Sequence, residues 1–152
     1  MTAFEDVKQA FYSYIENDVD FFNYFELDEE ECMEVAGQRA GVLLKEATSY
    51  LSRKIGFENV FSKTENDSFV ETLSDNEINL IVKAMFLCYL QRDITMLRTF
   101  HGVLSSSDLN MYSPANERKT FIAMVKQYED DLKVEISEYV MIDRSTGTFI
   151  EI

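Results

Sequence analysis

Asp18, Asp20 and Glu29 stand where a calcium loop needs its acids, at positions one, three and twelve of an EF-hand count. Such a loop folds around the ion with oxygen ligands at fixed steps and needs a glycine at position six for its sharp turn. Here Phe22 takes the fifth position and Asn23 the sixth, so the count breaks at a ligand and at the turn. His101 is the only histidine. A zinc or di-iron centre lacks further ligands near it, and a Ser or Cys nucleophile activated by its imidazole has nothing local to support it. At the end of a helical stretch, His101 reads instead as a group beside the last helix carbonyls. Cys32 and Cys88 lie in apolar helical stretches and read as buried, reduced thiols. Gly37 and Gly41 form a G-x-x-x-G inside a helix, which means close packing of a neighbour, from this chain or another subunit, and not a phosphate cradle. The chain therefore reads as a non-enzyme, with no catalytic, cofactor-binding or metal residues assigned.

What remains is the chemistry of surfaces. The stretch "DFFNYFELDEEE" (20–31) places four rings, Phe21, Phe22, Tyr24 and Phe25, in five positions and follows them with carboxylates. Four rings so close together point in too many directions for one small core to take all of them. Two or three can tuck under the bundle, while at least one or two are expected at a surface, where aromatic residues anchor interfaces. The acids Asp18, Asp20, Glu26, Asp28, Glu29, Glu30 and Glu31 would then form a solvated rim. The net charge of −14 is uneven: residues 1–34 hold 11 acids and one base, residues 35–102 eight of each, and residues 103–152 nine acids and five bases. Such a field repels nucleic acid and anionic membrane.

The elements that must position these residues are mostly helical. Thr2 with Glu5 has the capping-box pattern, and Phe4, Val7, Phe11, Tyr14 and Ile15 recur at helical spacing, so a first helix is expected over 3–16 and a loop over 17–27. Asp28 with Glu31 caps a second helix, whose stripe runs through Met33, Ala36, Ala40, Leu43, Leu44, Ala47, Leu51 and Ile55 to a stop at Gly56. Part of the acidic run is thus helix-capping chemistry. Residues 57–73 read as a long connection with at most a short helical turn. Ser74 with Glu77 caps the central helix, apolar on nearly every face from Leu80 to Leu90 except at Lys83, and Gly102 ends it. Ser113 and Pro114 open a fourth helix of about 25 residues with Phe121, Val125, Tyr128, Leu132 and Ile136 on one face. Around "DRSTG" the tail reads as a β-hairpin, with the alternating "TFIEI" as its last strand, and it needs a surface or a sheet edge to rest on.

At 152 residues, 46% hydrophobic and with one proline, the chain fits a single mainly α domain: four helices and a small C-terminal β-ribbon over 138–152, preceded by an acidic and aromatic segment over 1–27. It contains no apolar run near the roughly 20 residues that span a bilayer. The start "MTAFEDVKQAF" is unlike a signal peptide, so the protein is expected in the cytoplasm where it is made.

The capped helix ending in "LLKEATSYLSRKIGF", a connection, and then "LSDNEINLIVKAMFLCYLQRD" with a further helix resemble, over residues 28 to about 100, the head-to-tail connector (adaptor) proteins of tailed bacteriophages. The resemblance implies a ring, commonly twelve-fold, beneath the portal of the virion neck. Partners would be copies of the chain itself, the portal protein and a further neck or tail protein, with no membrane. DNA would slide past without specific binding. The acids named above would line the channel or its rim, while Phe21, Phe22, Tyr24, Phe25, Phe149, Ile150 and Ile152 would meet neighbours, the tail by strand addition. The acidic N-terminal segment and the hairpin-like tail depart from the family's usual pattern. Two other readings stay open: an acidic DNA mimic that blocks a nucleic-acid-binding protein, and a small helical regulatory protein.

Overall fold

The computed structural model describes residues 1–16, 19–22, 26–56, 58–103 and 115–150, with side chains placed in all of these except 19–20, 93–103 and 115–118. In chain order the elements are β1 (Thr2–Ala3), α1 (Phe4–Tyr14), α2 (Val19–Phe22), α3 (Glu29–Ile55), β2 (Thr64–Glu65), β3 (Ser68–Phe69), α4 (Asp75–Val103) and α5 (Ala115–Val140). The fold is mainly helical, as expected, with a small β element.

Helix α4 is the centre. Leu80, Ile81, Val82, Ala84, Met85, Leu87, Cys88, Tyr89 and Leu90 are all buried, and only Lys83 and Phe86 in that stretch reach water in part. Continuous burial of this kind needs helices on several sides, and α1, α3 and α5 supply them. Residue pairs give their directions. Glu77, Lys83 and Phe86 of α4 meet Tyr139, Glu135 and Tyr128 of α5, so those two helices run antiparallel. Thr2 lies by Leu73 and Tyr14 by Phe86, so α1 runs with α4. Gly37 faces the Tyr12 hydroxyl and Gly41 faces Lys8, so α3 runs against α1. The two glycines thus admit α1 of the same chain, which fills this role without a second subunit.

The Asp28–Glu31 capping box opens α3 as expected: the Glu31 N–H donates to Asp28 Oδ1 at 2.8 Å and the Asp28 N–H to Glu31 Oε2 at 3.3 Å. Gly56 closes it at φ 85°, a left-handed conformation that costs glycine little. Its buried stripe starts at Cys32 and continues through Ala36, Ala40, Leu43, Leu44, Ala47 and Leu51. Met33 is exposed instead, because one residue is a 100° turn away from the i, i+4 row that faces the core. Ser74 and Glu77 also cap α4 reciprocally, at 2.9 and 3.2 Å, and α4 runs one residue past Gly102 to Val103. Ser113 and Pro114 lie outside the described residues.

Three expectations need correction. Thr2 does not cap α1: it is buried in β1, and its hydroxyl accepts the Leu73 N–H at 2.8 Å, while the first free N–H of α1, that of Phe4, is met by the Asp67 carbonyl at 2.9 Å. Residues 57–73 are not a plain connection. Asn59 Oδ1 accepts from the N–H groups of Phe61 and Ser62 and so folds a tight turn that buries Val60 and Phe61. A hairpin follows whose two-residue turn, Asn66 (φ 48°) and Asp67 (φ 58°), has the positive angles of the tightest hairpin loops. β1 pairs antiparallel with β3 to complete the sheet order β1-β3-β2. Within 17–27, residues 19–22 form a helical turn, α2, and not a loop.

The tail is a hairpin in outline. α5 extends to Val140, so the ribbon starts later than residue 138 and is reduced to a single antiparallel bridge, Ile142 with Phe149. It is closed by the Asp143 N–H to Thr148 O and the Ile150 N–H to Met141 O, both 2.8 Å, and Gly147 turns it at φ 70°.

Phe21 is fully buried, packed edge-on against Phe11 at 5.6 Å and Tyr89 at 5.6 Å with the Arg39 guanidinium 4.7 Å from its ring centre. Truncating it leaves a ring-sized void between α1, α3 and α4. Phe21→Ala should therefore cost about 3–5 kcal/mol of unfolding free energy in urea titration, whereas Phe149→Ala, at an exposed position, should shift it by less than about 0.5 kcal/mol.

Candidate functional site

Because the helices alternate in direction, the start of α3 and the C-terminal hairpin lie at opposite ends of the molecule. One end gathers α2, the start of α3 and the later part of α4. Glu26, Asp28, Glu29, Glu30, Glu31 and Glu34 are all exposed there. Asp28 and Glu31 are tied into the helix cap, so Glu26, Glu29, Glu30 and Glu34 are the carboxylates that the start of α3 presents freely to solvent. No base comes within 4 Å of these four among the described residues. Glu26 holds a positive φ of 67°, which turns the chain sharply into the cap. Asp18 and the side chain of Asp20 lie outside the described residues.

The ring cluster divides. Phe21 belongs to the core and is no interface anchor, since the gap between Phe11, Tyr89 and Arg39 accepts the whole ring. Phe22 is half-buried against Tyr12, 5.6 Å between ring centres. Tyr24 and Phe25 lie outside the described residues, as does Ile152.

The opposite end carries the sheet, the cap of α4 and the C-terminal hairpin. Phe149 is 73% exposed and Ile150 53%, with Met141 exposed beside them, so these tail residues do lie open to a partner. In the Ile142–Phe149 bridge the hydrogen bonds fall on the flanking residues, so the N–H and C=O of Phe149 itself point away from the ribbon. That is an unpaired strand edge next to an exposed ring.

What holds the hairpin in place is a cluster that sequence reading misses. Glu77 is 1% exposed and its Oε2 accepts from Tyr139 Oη at 2.6 Å and Arg144 Nε at 2.8 Å, while Oε1 accepts the Ser74 N–H. Arg144 also donates to Glu71 Oε2 at 2.7 Å and to the Thr72 carbonyl at 2.6 Å. A cleft of about 510 Å³ opens between these groups. Burial works against the Glu77 charge, but the bonds from Arg144, Ser74 and Tyr139 outweigh it and hold the carboxyl below its ordinary range. Burial, then the bond to Glu77, pushes the Tyr139 hydroxyl up, and the Glu77 hydrogen bond raises Arg144 further. The sequence marks Glu77 only as a cap. Its partner is 67 residues away, and no local pattern signals the pairing.

Cys32 and Cys88 are buried and unlinked, and burial, with Glu46 nearby, pushes Cys88 up to about 11. Among the described residues no group of three or more His, Cys, Asp or Glu could hold a metal ion, and no helix is long and apolar enough to cross a membrane. No protein-family model, curated protein or solved structure matches the chain.

The Glu77 cluster has two measurable consequences. Arg144→Ala, which leaves Glu77 with Tyr139 and Ser74 but frees the hairpin, should cost about 1–2 kcal/mol and lower Tm by about 2–8 °C. Since the folded Glu77 titrates below its ordinary 4.5, its contribution is complete above that value and is lost as the pH falls through the lower folded one. Thermal melts between neutral pH and pH values below 4.5 should therefore fall more steeply for the wild type than for Glu77→Gln, which should start lower and run flatter.

Proposed function

We propose that the chain is a structural subunit of a phage neck, a ring-forming head-to-tail adaptor that joins the portal to the tail and lets DNA pass an acidic channel. The observation that carries this reading is that the exposed carboxylates at the start of α3 and the apolar tail with its open strand edge lie at opposite ends of the bundle. In a ring whose subunits share one orientation, that arrangement places every carboxylate cluster on the same rim or lumen. Phosphates within a Debye length of about 8–10 Å meet like charge there and are not retained. At the other end Phe149 supplies backbone for strand addition, and Phe149, Ile150 and Met141 supply apolar contact. Portal and the next neck protein are the partners of this reading, and the virion neck, assembled in the host cytoplasm, is its location.

A DNA mimic would need paired carboxylates spread along a whole face. Here residues 35–102 carry as many bases as acids.

Light scattering separates the readings, on the protein alone and after mixing with the portal and neck proteins encoded beside it, at low and moderate salt. A large discrete oligomer, or a stoichiometric complex with one of those proteins, is the expected result. Phe149→Ser with Ile150→Ser should weaken the complex by about tenfold or more with the helical circular dichroism unchanged. A monomer that instead captures a basic nucleic-acid enzyme, and releases it with salt, overturns the adaptor reading.

A further inference from the structure

Over residues 141–150 only Ile142 is half-buried; every other residue of the C-terminal hairpin is exposed. Its hydrogen bonds are mostly internal. Asp143 with Thr148 and Ile150 with Met141 close the ribbon, the Gly147 N–H returns to the Asp143 carbonyl, and Asp143 Oδ1 accepts both the N–H and the hydroxyl of Ser145, at 2.8 and 2.6 Å. Toward the sheet and the α4 cap, among the described residues, one hairpin side chain makes hydrogen bonds: Arg144, to Glu77, Glu71 and the Thr72 carbonyl. The cleft of about 510 Å³ separates the rest, with Leu73, Ser74 and Asn76 on one side and Ile142, Asp143 and Gly147 on the other. The stem offers no second clamp. α5 ends at Val140, the Met141 and Ile142 N–H groups donate only to α5 carbonyls three residues back, at 3.2 and 3.1 Å, and Val140 and Met141 are exposed.

We infer that the hairpin is a latched arm: it leaves the bundle and returns by turning about the end of α5, without unfolding of the helices, and the grip of Arg144 on Glu77, Glu71 and Thr72 is the latch that sets how often it is away. Segments with few buried apolar contacts and exposed backbone bonds open in this way, well below the free energy of global unfolding. Detachment uncovers little apolar surface, so docking rests on the three bonds from the guanidinium, each strengthened by its charge. The docked arm already turns the N–H and C=O of Phe149 outward beside an exposed ring, so opening adds nothing to that edge, whereas docking fixes where it stands. A partner that adds a strand there therefore binds with an apparent affinity scaled by the docked share. This consequence rests on the adaptor reading; the latch itself does not.

Trypsin reads the latch, because the bond it cuts here follows Arg144 itself. The side chain must leave Glu77 and the ribbon must straighten first, which an undocked two-stranded ribbon does readily. Cleavage of the native chain after Arg144, followed by mass as loss of residues 145–152 and divided by the rate for an unfolded synthetic peptide of residues 138–150, reports the open share. The wild-type ratio should lie below about one tenth. Arg144→Lys, which keeps a trypsin site but meets only part of the grip, should raise the ratio to its own peptide about fivefold, and Glu71→Gln, at an exposed position, about twofold. In urea below the unfolding transition the ratio should stay nearly flat, while cleavage after Lys83, within the enclosed stretch of α4, should climb with denaturant because it needs the bundle to open. A wild-type rate equal to the peptide's means that Arg144 holds nothing. No acceleration in either variant places the hold elsewhere, and a ratio that climbs in parallel with Lys83 makes the hairpin part of the bundle's cooperative unit. Each of these three results overturns the latch and leaves the adaptor reading to the light-scattering experiment.

Discussion

A helix that water touches on almost no side demands a partner for every polar group it carries, and α4 sets that demand for the whole molecule. Its buried stretch carries one ammonium, Lys83, which is met by both oxygens of Glu135 on α5 at 2.6 and 2.8 Å. Its cap carboxylate, Glu77, is met from α5 and the hairpin, and Arg92, further along, is met by Glu46 on α3. Lys83 and Glu77 are thus answered from α5 and Arg92 from α3. The apolar remainder contributes roughly 1.5–3 kcal/mol for each large side chain removed from water. The polar pairs add less to stability than that; Glu77, the buried member, fixes the register of α5 and the hairpin against α4, since an unmatched buried charge costs several kcal/mol.

Helices of this kind are the most legible part of such a sequence. The two reciprocal caps, Asp28 with Glu31 and Ser74 with Glu77, lie three residues apart and need no tertiary context, so the starts of α3 and α4 could be read to the residue. The third cap pattern, Thr2 with Glu5, was identical in form and misleading, because a long-range acceptor role toward Leu73 claimed the Thr2 hydroxyl. Local pattern and tertiary demand compete for the same group, and only the fold shows which one wins. The β2–β3 hairpin was missed for a related reason. Its turn residues are Asn and Asp with no glycine, and strands of two residues are too short to display alternation.

The candidate site was legible in composition more than in geometry. Charge asymmetry marked residues 1–34 as acidic, and of the rim acids read there Glu26, Asp28, Glu29, Glu30 and Glu31 are exposed, but it could not separate the acids that hold a helix cap from those left free. The aromatic run misled at Phe21, whose cavity is assembled from Phe11, Arg39 and Tyr89, three residues on three different helices. The hairpin's exposed Phe149 and Ile150 could be anticipated, whereas the Arg144 grip that fixes the hairpin to the α4 cap could not. Alternation in direction among α1, α3, α4 and α5 then does the rest: it sorts these features to opposite ends, a property no single segment possesses.

Cys88 sits at the junction of α3, α4 and their ion pairs, held as a neutral thiol well above the pH of ordinary buffers. Only a thiolate attacks a thiol reagent, so this sulfur reacts when the bundle parts and is silent while it is closed. Cys32, the other cysteine of the chain, is buried too, at the start of the core-facing stripe of α3. With a disulfide reagent in enough excess that reaction outpaces reclosing, the rate at which Cys88 is consumed equals the opening frequency of the helices around it, in the native chain and without any label.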